Sequence, residues 1–261
     1  MPVILVTDVL VWLLAAAAAG YAFYCRRRPH LALPWARVFR SAAAMASVVV
    51  LGAYVALGLL DSLHFRPSLE HKAGEQQAYS SDVLSVLDLA LAHLRGRSEK
   101  TYSAPLATRS YAKEQVELPD GRQMRDFPRL RFGGAHLEDE GEWAGDVAKR
   151  IATGIAASVF FLLFVIFFIR FLKTRRPEIS WHAAGVALGA LLLLAGPALA
   201  LSSGYHVLGT DKVGQDMFYL ALKSVRTSLV IGTLTTLVLL PLGVALGIMA
   251  GYFKGWIDDV I

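Results

Sequence analysis

The sequence predicts an all-α membrane protein with about five transmembrane helices and one small external module. Hydrophobic residues make up 55% of the 261 residues and charged residues only 18%, and the hydrophobic residues are concentrated in long runs. An average soluble domain has about 25% charged residues and spreads its apolar residues at helix or strand period. Runs of about twenty apolar residues instead have the length that a helix needs to cross a bilayer.

Five runs are long enough to span a membrane, and they cover 3–24, 42–60, 151–171, 183–202 and 228–253. Hydrocarbon offers the backbone no hydrogen-bond partner, so each run is expected to be a helix. Asp8 lies in the first run, about two turns from its outer end. We expect this carboxylate to reach the lipid headgroups, because a charge at the bilayer centre is costly.

The basic residues predict the orientation of the chain. The segment 25–40 carries five arginines and no acid, and 170–182 carries four basic residues and one glutamate. Lysine and arginine mark cytoplasmic loops, so both segments are placed in the cytoplasm of a multi-pass inner-membrane protein. The N-terminus is then outside and the C-terminus cytoplasmic. Nucleic-acid binding is not expected, because the basic residues flank the apolar runs and no aromatic-interleaved basic patch is present.

Four regions are predicted along the chain. They are 1–60, two transmembrane helices around a basic cytoplasmic loop; 61–150, the external (periplasmic) module; 151–203, two further transmembrane helices; and 204–261, an external amphipathic segment followed by another span.

Within the module, turn-forming residues separate short elements. The segment 80–82 (Ser-Ser-Asp) is predicted to cap a helix whose apolar stripe runs over 83–94. A short hairpin is predicted over 116–124, around Pro-Asp-Gly. A helix over 140–150 is predicted to continue into the third span.

No residue pattern predicts an enzyme. The sequence has no Gly-x-x-x-x-Gly-Lys-Ser/Thr motif and no His or Cys pair at metal-ligand spacing, so no cofactor or metal is expected. Asp61, Ser62 and His64 are close in sequence, but nothing positions an oxyanion hole beside them. They are interpreted as a solvated segment next to the membrane.

The most informative stretch is the last one. A polar run over 206–216 precedes an amphipathic helix at about 216–225 and then the apolar run. Gly209 and Gly214 permit tight turns, and Asp211 and Asp216 can cap the helix that follows. That helix is expected to lie on the membrane surface, where its basic residues Lys223 and Arg226 reach lipid phosphates.

The final apolar run has features of close helix packing. Gly243, Gly247 and Gly251 recur every four residues and give a smooth face for a neighbouring helix. Pro241 removes one backbone hydrogen bond and is expected to bend the helix. Such a span fits a translocation path and static packing equally well.

This stretch resembles the permease subunit of dipeptide, oligopeptide and nickel ABC importers. In that family His-Pro-Leu-Gly-Thr-Asp-x-x-Gly-Arg-Asp precedes a helix with Gly-Ala-Arg-x-Ser-Leu, and Gly-Tyr-x-Gly-Gly-Trp-x-Asp follows the next span. The matching residues are His206, Leu208, Gly209, Thr210, Asp211, Gly214, Asp216, Arg226, Ser228, Leu229, Gly251, Tyr252, Gly255, Trp256 and Asp258. Val207, Gln215 and the pair Ser224-Val225 depart from the pattern.

The resemblance implies a membrane-spanning permease component of an ATP-driven importer for peptides or similar small solutes. It implies as partners the lipid bilayer, a second permease subunit or the remaining permease half, cytoplasmic ABC ATPases and a periplasmic substrate-binding protein. In the family, further spans and a coupling loop follow this stretch. The chain is therefore expected to be an incomplete N-terminal part, which would not transport alone.

A second hypothesis is a membrane-anchored sensor or assembly protein. Its external module would bind a ligand or a protein in the periplasm. Two spans flanking a long outer segment fit this reading, whereas the sequence shows no cytoplasmic signalling domain to receive a message.

Overall fold

The structure, a computed structural model, describes residues 1–68, 79–117, 123–175 and 179–253, with the side chains of 116–117 and 172–175 left out. The helices are α1 (Val6–Arg27), α2 (Pro29–Arg40), α3 (Ala42–Asp61), α4 (Val86–Ala90), α5 (Ala92–Arg95), α6 (Trp143–Arg175), α7 (Trp181–Ser202) and α8 (Met217–Phe253). The short strands are β1 (Pro2–Val3), β2 (His64–Phe65), β3 (Leu84–Ser85), β4 (Glu114–Glu117) and β5 (Gln123–Asp126).

Five of the described helices, α1, α3, α6, α7 and α8, are long and apolar enough to cross a membrane. The predicted all-α membrane fold is therefore confirmed. The prediction that a helix over 140–150 leads into the third span is also confirmed, because a 3₁₀ turn at Glu140–Glu142 runs directly into α6. With 33 residues, α6 is about 50 Å long. It exceeds the roughly 30 Å of hydrocarbon in a bilayer, so part of it extends beyond the membrane.

Small residues bring α6 and α7 close together as an antiparallel pair. A Cβ added at Gly154 of α6 would lie 2.6 Å from the Cα of Pro197 in α7. The hydroxyl of Ser158 donates to the carbonyl of Leu192 at 2.6 Å. Close backbone approach of this kind is the usual way in which helices associate in lipid.

The N-terminus and the module lie together at one end of the bundle. Strand β1 pairs antiparallel with β2, and β2 pairs antiparallel with β3. The N-terminal ammonium group of Met1 donates to the carbonyl of Arg66 at 2.9 Å. The first residues are therefore strand rather than helix, which is why α1 begins at Val6 and not at the predicted residue 3.

The two basic segments lie together at the other end. The backbone N–H of Ser180, just before α7, donates to the carbonyl of Phe39 at 3.2 Å. The segment 25–40 was predicted as a loop, but most of it is the helix α2, with Pro29 at its first position and Trp35 on its exposed apolar side. An amphipathic helix of this kind fits a membrane surface.

The module packs its helices against α8. Leu87, Leu91 and Leu94 form a buried cluster with Tyr219 of α8, so the predicted apolar stripe does become buried. The predicted cap at 80–82 is wrong. Ser85 is the cap, because β3 pairs with β2 and the chain turns helical only after it; the Ser85 hydroxyl accepts from the N–H of Asp88 at 3.0 Å.

The predicted hairpin is confirmed at its strands. Strands β4 and β5 are antiparallel, with Val116 opposite Met124. The turn at 118–122 lies outside the described residues.

Candidate functional site

The polar run 206–216 is a loop closed by its first and last residues. His206, only 1% exposed, places its Nδ1 2.7 Å from Oδ2 of Asp216. The other carboxylate oxygen of Asp216 accepts from the backbone N–H groups of Phe218 at 2.8 Å and Tyr219 at 3.2 Å. Asp216 therefore caps α8 and holds the start of the loop at the same time.

Glu99 of the module completes this site. Its buried carboxylate places Oε1 3.3 Å from Nε2 of His206. The same side chain accepts from the backbone N–H groups of Arg131 at 2.8 Å and Phe132 at 2.7 Å. Glu99 is not among the predicted site residues, because it lies 107 residues before its histidine partner and no local motif marks it.

Burial and hydrogen bonding oppose each other in this site. Burial by itself lowers the pKa of His206, but the hydrogen bonds with Asp216 and Glu99 outweigh it and raise the pKa to about 9. Burial raises the pKa of Glu99, but the hydrogen bonds from His206 and from the backbone lower it to about 2. At neutral pH the site therefore holds an imidazolium bonded to an ionised glutamate.

The loop backbone lies directly against residues 99–103. Gly209 and Gly214 have positive φ angles of 76° and 81°, a region that side chains disfavour. A Cβ at Gly214 would be 1.9 Å from the carbonyl oxygen of Glu99, and one at Gly209 would be 2.3 Å from that of Ser103. Only glycine permits this contact at the two positions where the sequence predicted tight turns.

Thr210 and Asp211 bond to the loop and its neighbour. The Thr210 hydroxyl donates to the carbonyl of Thr101 at 2.8 Å. The Asp211 carboxylate accepts from the backbone N–H groups of Val213 at 2.9 Å and Gln215 at 2.8 Å. Asp211 therefore stabilises the loop itself and does not cap α8.

A second buried cluster surrounds Arg226. Its guanidinium contacts Asp8 of α1 at 2.8 Å and Asp61 of α3 at 3.1 Å. These two carboxylates are 2% and 1% exposed. His64 adds its Nδ1 at 2.9 Å from Asp8, and the hydroxyl of Ser85 donates to Asp61 at 2.8 Å.

Three predictions are wrong at this cluster. Asp8 does not reach lipid headgroups and Arg226 does not reach lipid phosphates, because they pair with each other. Asp61 and Ser62 are buried and not solvated. The physical reason is the same in each case: a buried charge is stable when an opposite charge compensates it, and its partner lies in a distant part of the sequence.

Lys223, one turn earlier on α8, pairs with the module. Its Nζ lies 2.7 Å from both carboxylate oxygens of Asp88, and the Tyr219 hydroxyl donates to the same carboxylate at 2.5 Å. Burial raises the pKa of Asp88, but these hydrogen bonds, with that from the Ser85 backbone, lower it to about 2. The prediction that Lys223 reaches lipid phosphates is therefore also wrong.

The amphipathic segment and the last span form one helix. They were predicted as separate elements, but α8 runs without a break from Met217 to Phe253. The hydroxyls of Ser224 and Ser228 bond back to carbonyls one turn earlier, at 2.8 and 3.1 Å. The polar stretch between the segments therefore satisfies its own hydrogen bonds as a helix.

Some of the remaining predicted positions lie in α8, and others lie outside the described residues. Pro241 lies inside α8, and a Cβ added at Gly243, Gly247 or Gly251 would meet nothing within 4 Å. Tyr252 is 79% exposed. The predicted bend and glycine packing stay predictions. The last three motif residues, Gly255, Trp256 and Asp258, lie outside the described residues.

Both clusters join α8 to the rest of the chain. In the part of the chain that the structure describes, no three His, Cys, Asp or Glu side chains form a group that could hold a metal ion. The charged groups instead bond to one another and to backbone groups. These contacts can fix the position of the module relative to the first turns of α8.

The fold and these clusters define a multi-pass α-helical membrane protein in which the module is bound to the last described helix. Over 59 residues the chain is 42% identical to the glutathione transport system permease protein GsiD of Pectobacterium atrosepticum, a match that covers 23% of this chain and 20% of that protein. The chain thus matches about a fifth of the length of this curated relative. The protein that the chain resembles over this stretch is a permease of a transport system. No family model matches the chain, and no solved structure matches it.

Proposed function

We propose that the chain is a membrane-spanning permease component of an ATP-driven ABC importer for peptides or similar small solutes. The observation that carries this proposal is the 42% identity to a glutathione transport permease, since glutathione is itself a tripeptide. The motif residues His206, Gly209, Thr210 and Asp216 add support, because they build one compact loop.

The proposed orientation places the N-terminus and the module outside and the C-terminus in the cytoplasm. Pairing of β1 with β2 and of β2 with β3 supports it, because these contacts put the N-terminus at the module's end of the bundle. The basic segments meet at the opposite end through Ser180 and Phe39. Segments rich in lysine and arginine face the cytoplasm. The four regions predicted from the sequence belong to this proposal.

The proposed role of the module is to receive a periplasmic substrate-binding protein. Through Glu99 and Asp88 it is bonded to the loop and to the first turns of α8. Movement of the module on docking therefore moves the start of α8. The exposed remainder of α8 contacts lipid and a second permease subunit. ATP is hydrolysed by partner ATPases, because the sequence lacks a phosphate-binding motif.

Uptake and co-purification test the proposal together. We expect affinity purification of the tagged chain from cross-linked native membranes to recover an ATP-binding subunit and a second permease. We expect cells lacking the gene to lose ATP-dependent uptake of a radiolabelled peptide such as glutathione. The wild-type gene and the Ser224→Ala variant should restore uptake, since Ser224 is exposed, whereas Arg226→Gln should not.

Recovery of neither partner, with uptake unchanged in the deletion strain, would contradict the proposal. Recovery of a single periplasmic or membrane protein under these conditions would instead favour the sensor or assembly hypothesis.

A further inference from the structure

A groove lies between α6 and α7 at the end of the bundle that holds the basic segments. Its volume is about 670 Å³, within the range of roughly 300–1,000 Å³ typical of sites for small molecules. Ile166 and Ile169 of α6 line one wall, and Gly185 and Val186 of α7 line the other. The wall is apolar and opens toward the region that lipid chains occupy, since Val186 is 74% exposed.

Among the described residues that line this groove, polar groups lie only at one end. They are Arg170 of α6 and the pair Trp181 and His182 of α7. A guanidinium group binds phosphate with charge-assisted hydrogen bonds, and tryptophan favours the level of the headgroups. The apolar wall and the basic mouth therefore match the two parts of a phospholipid, its acyl chain and its phosphate.

The charge around the mouth favours an anionic lipid. Arg170 supplies a cation there, and the segment 25–40, which reaches the start of α7 through Phe39 and Ser180, has five arginines and no acid. Basic pockets between transmembrane helices bind anionic headgroups. A zwitterionic phospholipid carries a compensating cation, which this surface repels.

We propose that the groove between α6 and α7 binds one anionic phospholipid, with an acyl chain along Ile166 and Val186 and its phosphate at Arg170 and His182. Bound there, the lipid lies beside the close contact of Gly185 in α7 with Ile169 in α6. It ties the α6–α7 pair to the leaflet that holds the basic segments. This inference does not depend on the proposed transport role, because lipid retention is measured without substrate.

Native mass spectrometry of the purified full chain tests it. The protein is incubated with an equimolar mixture of phosphatidylglycerol and phosphatidylcholine, and the lipids that stay bound are counted. We expect phosphatidylglycerol to be retained about fivefold over phosphatidylcholine, the preference that one extra charge contact gives. Arg170→Gln should bring the ratio close to one, and Arg125→Gln, which changes an exposed arginine of the module, should leave it unchanged.

A second pair of variants tests the acyl-chain wall without changing charge. Val186→Trp fills the groove from an exposed position, and we expect it to reduce bound lipid of both kinds. Leu194→Trp is the matched control, because Leu194 is 73% exposed on the same helix but does not line the groove. Inorganic phosphate should not displace the lipid.

Three outcomes of the retention measurements would overturn the proposal. These are equal retention of the two lipids by the wild type, equal effects of the two arginine variants, or equal effects of the two tryptophan variants. Displacement of the bound lipid by inorganic phosphate would show a soluble-anion site and would also overturn it.

Discussion

The two parts of α8 differ in what they contact. From Met217 to Arg226 the helix is bound by charged and hydroxyl groups to α1, α3 and the module, through Asp8, Asp61 and Asp88. In the most apolar part of α8 no residue is buried, and its later glycines have no neighbour within the described chain. Apolar surface gives little association energy between helices in lipid. Within the described chain, polar pairs at one end of α8 therefore hold this helix more than apolar contact along its span does.

The largest effect is expected for Arg226→Gln. It leaves the buried carboxylates of Asp8 and Asp61 without their cation, and breaking such a pair costs about 3–5 kcal/mol. We expect a large fall in the thermal transition of the detergent-solubilised protein. Ser224→Ala is the control on an exposed site of the same helix. Equal transitions for the two variants would show that the cluster does not position α8.

His206→Ala should have the next largest effect. It removes the cation that contacts Asp216 and Glu99, and a lost hydrogen bond to a charged group costs about 1.5–3 kcal/mol. Hydrogen exchange at 206–216 should become faster, while exchange in α7 changes little. Unchanged protection of the loop in this variant would show that the buried His206 site does not hold the two ends of the loop together.

The same histidine predicts a pH dependence. Because its pKa rises from 6.5 to about 9 on folding, its stabilisation is fully present below pH 6.5 and is lost as pH rises through 9. We expect loop protection to fall between those values in the wild type and to lose this dependence in His206→Gln. Glu99 acts in the opposite sense: its contribution is present above pH 4.5 and is lost only as pH falls through about 2. Protection that stays constant from pH 6 to 10 would contradict the assignment.

Two glycine substitutions compare the loop before α8 with the apolar part of α8. Gly214→Ala places a Cβ against the carbonyl of Glu99 at a positive φ angle, and we expect a loss of about 2 kcal/mol. Gly243→Ala lies in open space inside the helix and should be neutral or stabilising by up to about 1 kcal/mol. Thermal transitions of the two variants measure the difference. The reverse order would mean that the glycine face is already in contact with a partner.

Lys223→Gln should have the smallest effect. The side chain of Lys223 is 34% exposed, so solvent screens its pair with Asp88, and a loss of about 1 kcal/mol is expected. Lys212→Gln, an exposed lysine of the loop, is the control and should change nothing measurable. A loss of stability as large as that of Arg226→Gln would show that the greater exposure of Lys223 does not weaken its ion pair.

The sequence predicted what depends on local composition. The five spans follow from the length of the apolar runs, and the turns at Gly209 and Gly214 follow from residue type. The partners of Arg226 and His206 could not be found this way, because Asp8 and Glu99 lie 218 and 107 residues away. A charge near the end of a span looks the same in sequence whether it faces lipid or an ion partner. Only the packing of α1, α3 and the module beside α8 decides between them.

The buried contact of Tyr219 with Leu87, Leu91 and Leu94 has a consequence for biogenesis. A ribosome that has just released the module has not yet made Tyr219, and two more hydrophobic segments must first enter the translocon. Until then the three leucines lack their contact with Tyr219, and their exposed apolar surface can aggregate during synthesis. Chaperones on the module's side of the membrane should therefore bind nascent chains arrested before residue 217 more strongly than chains released after it.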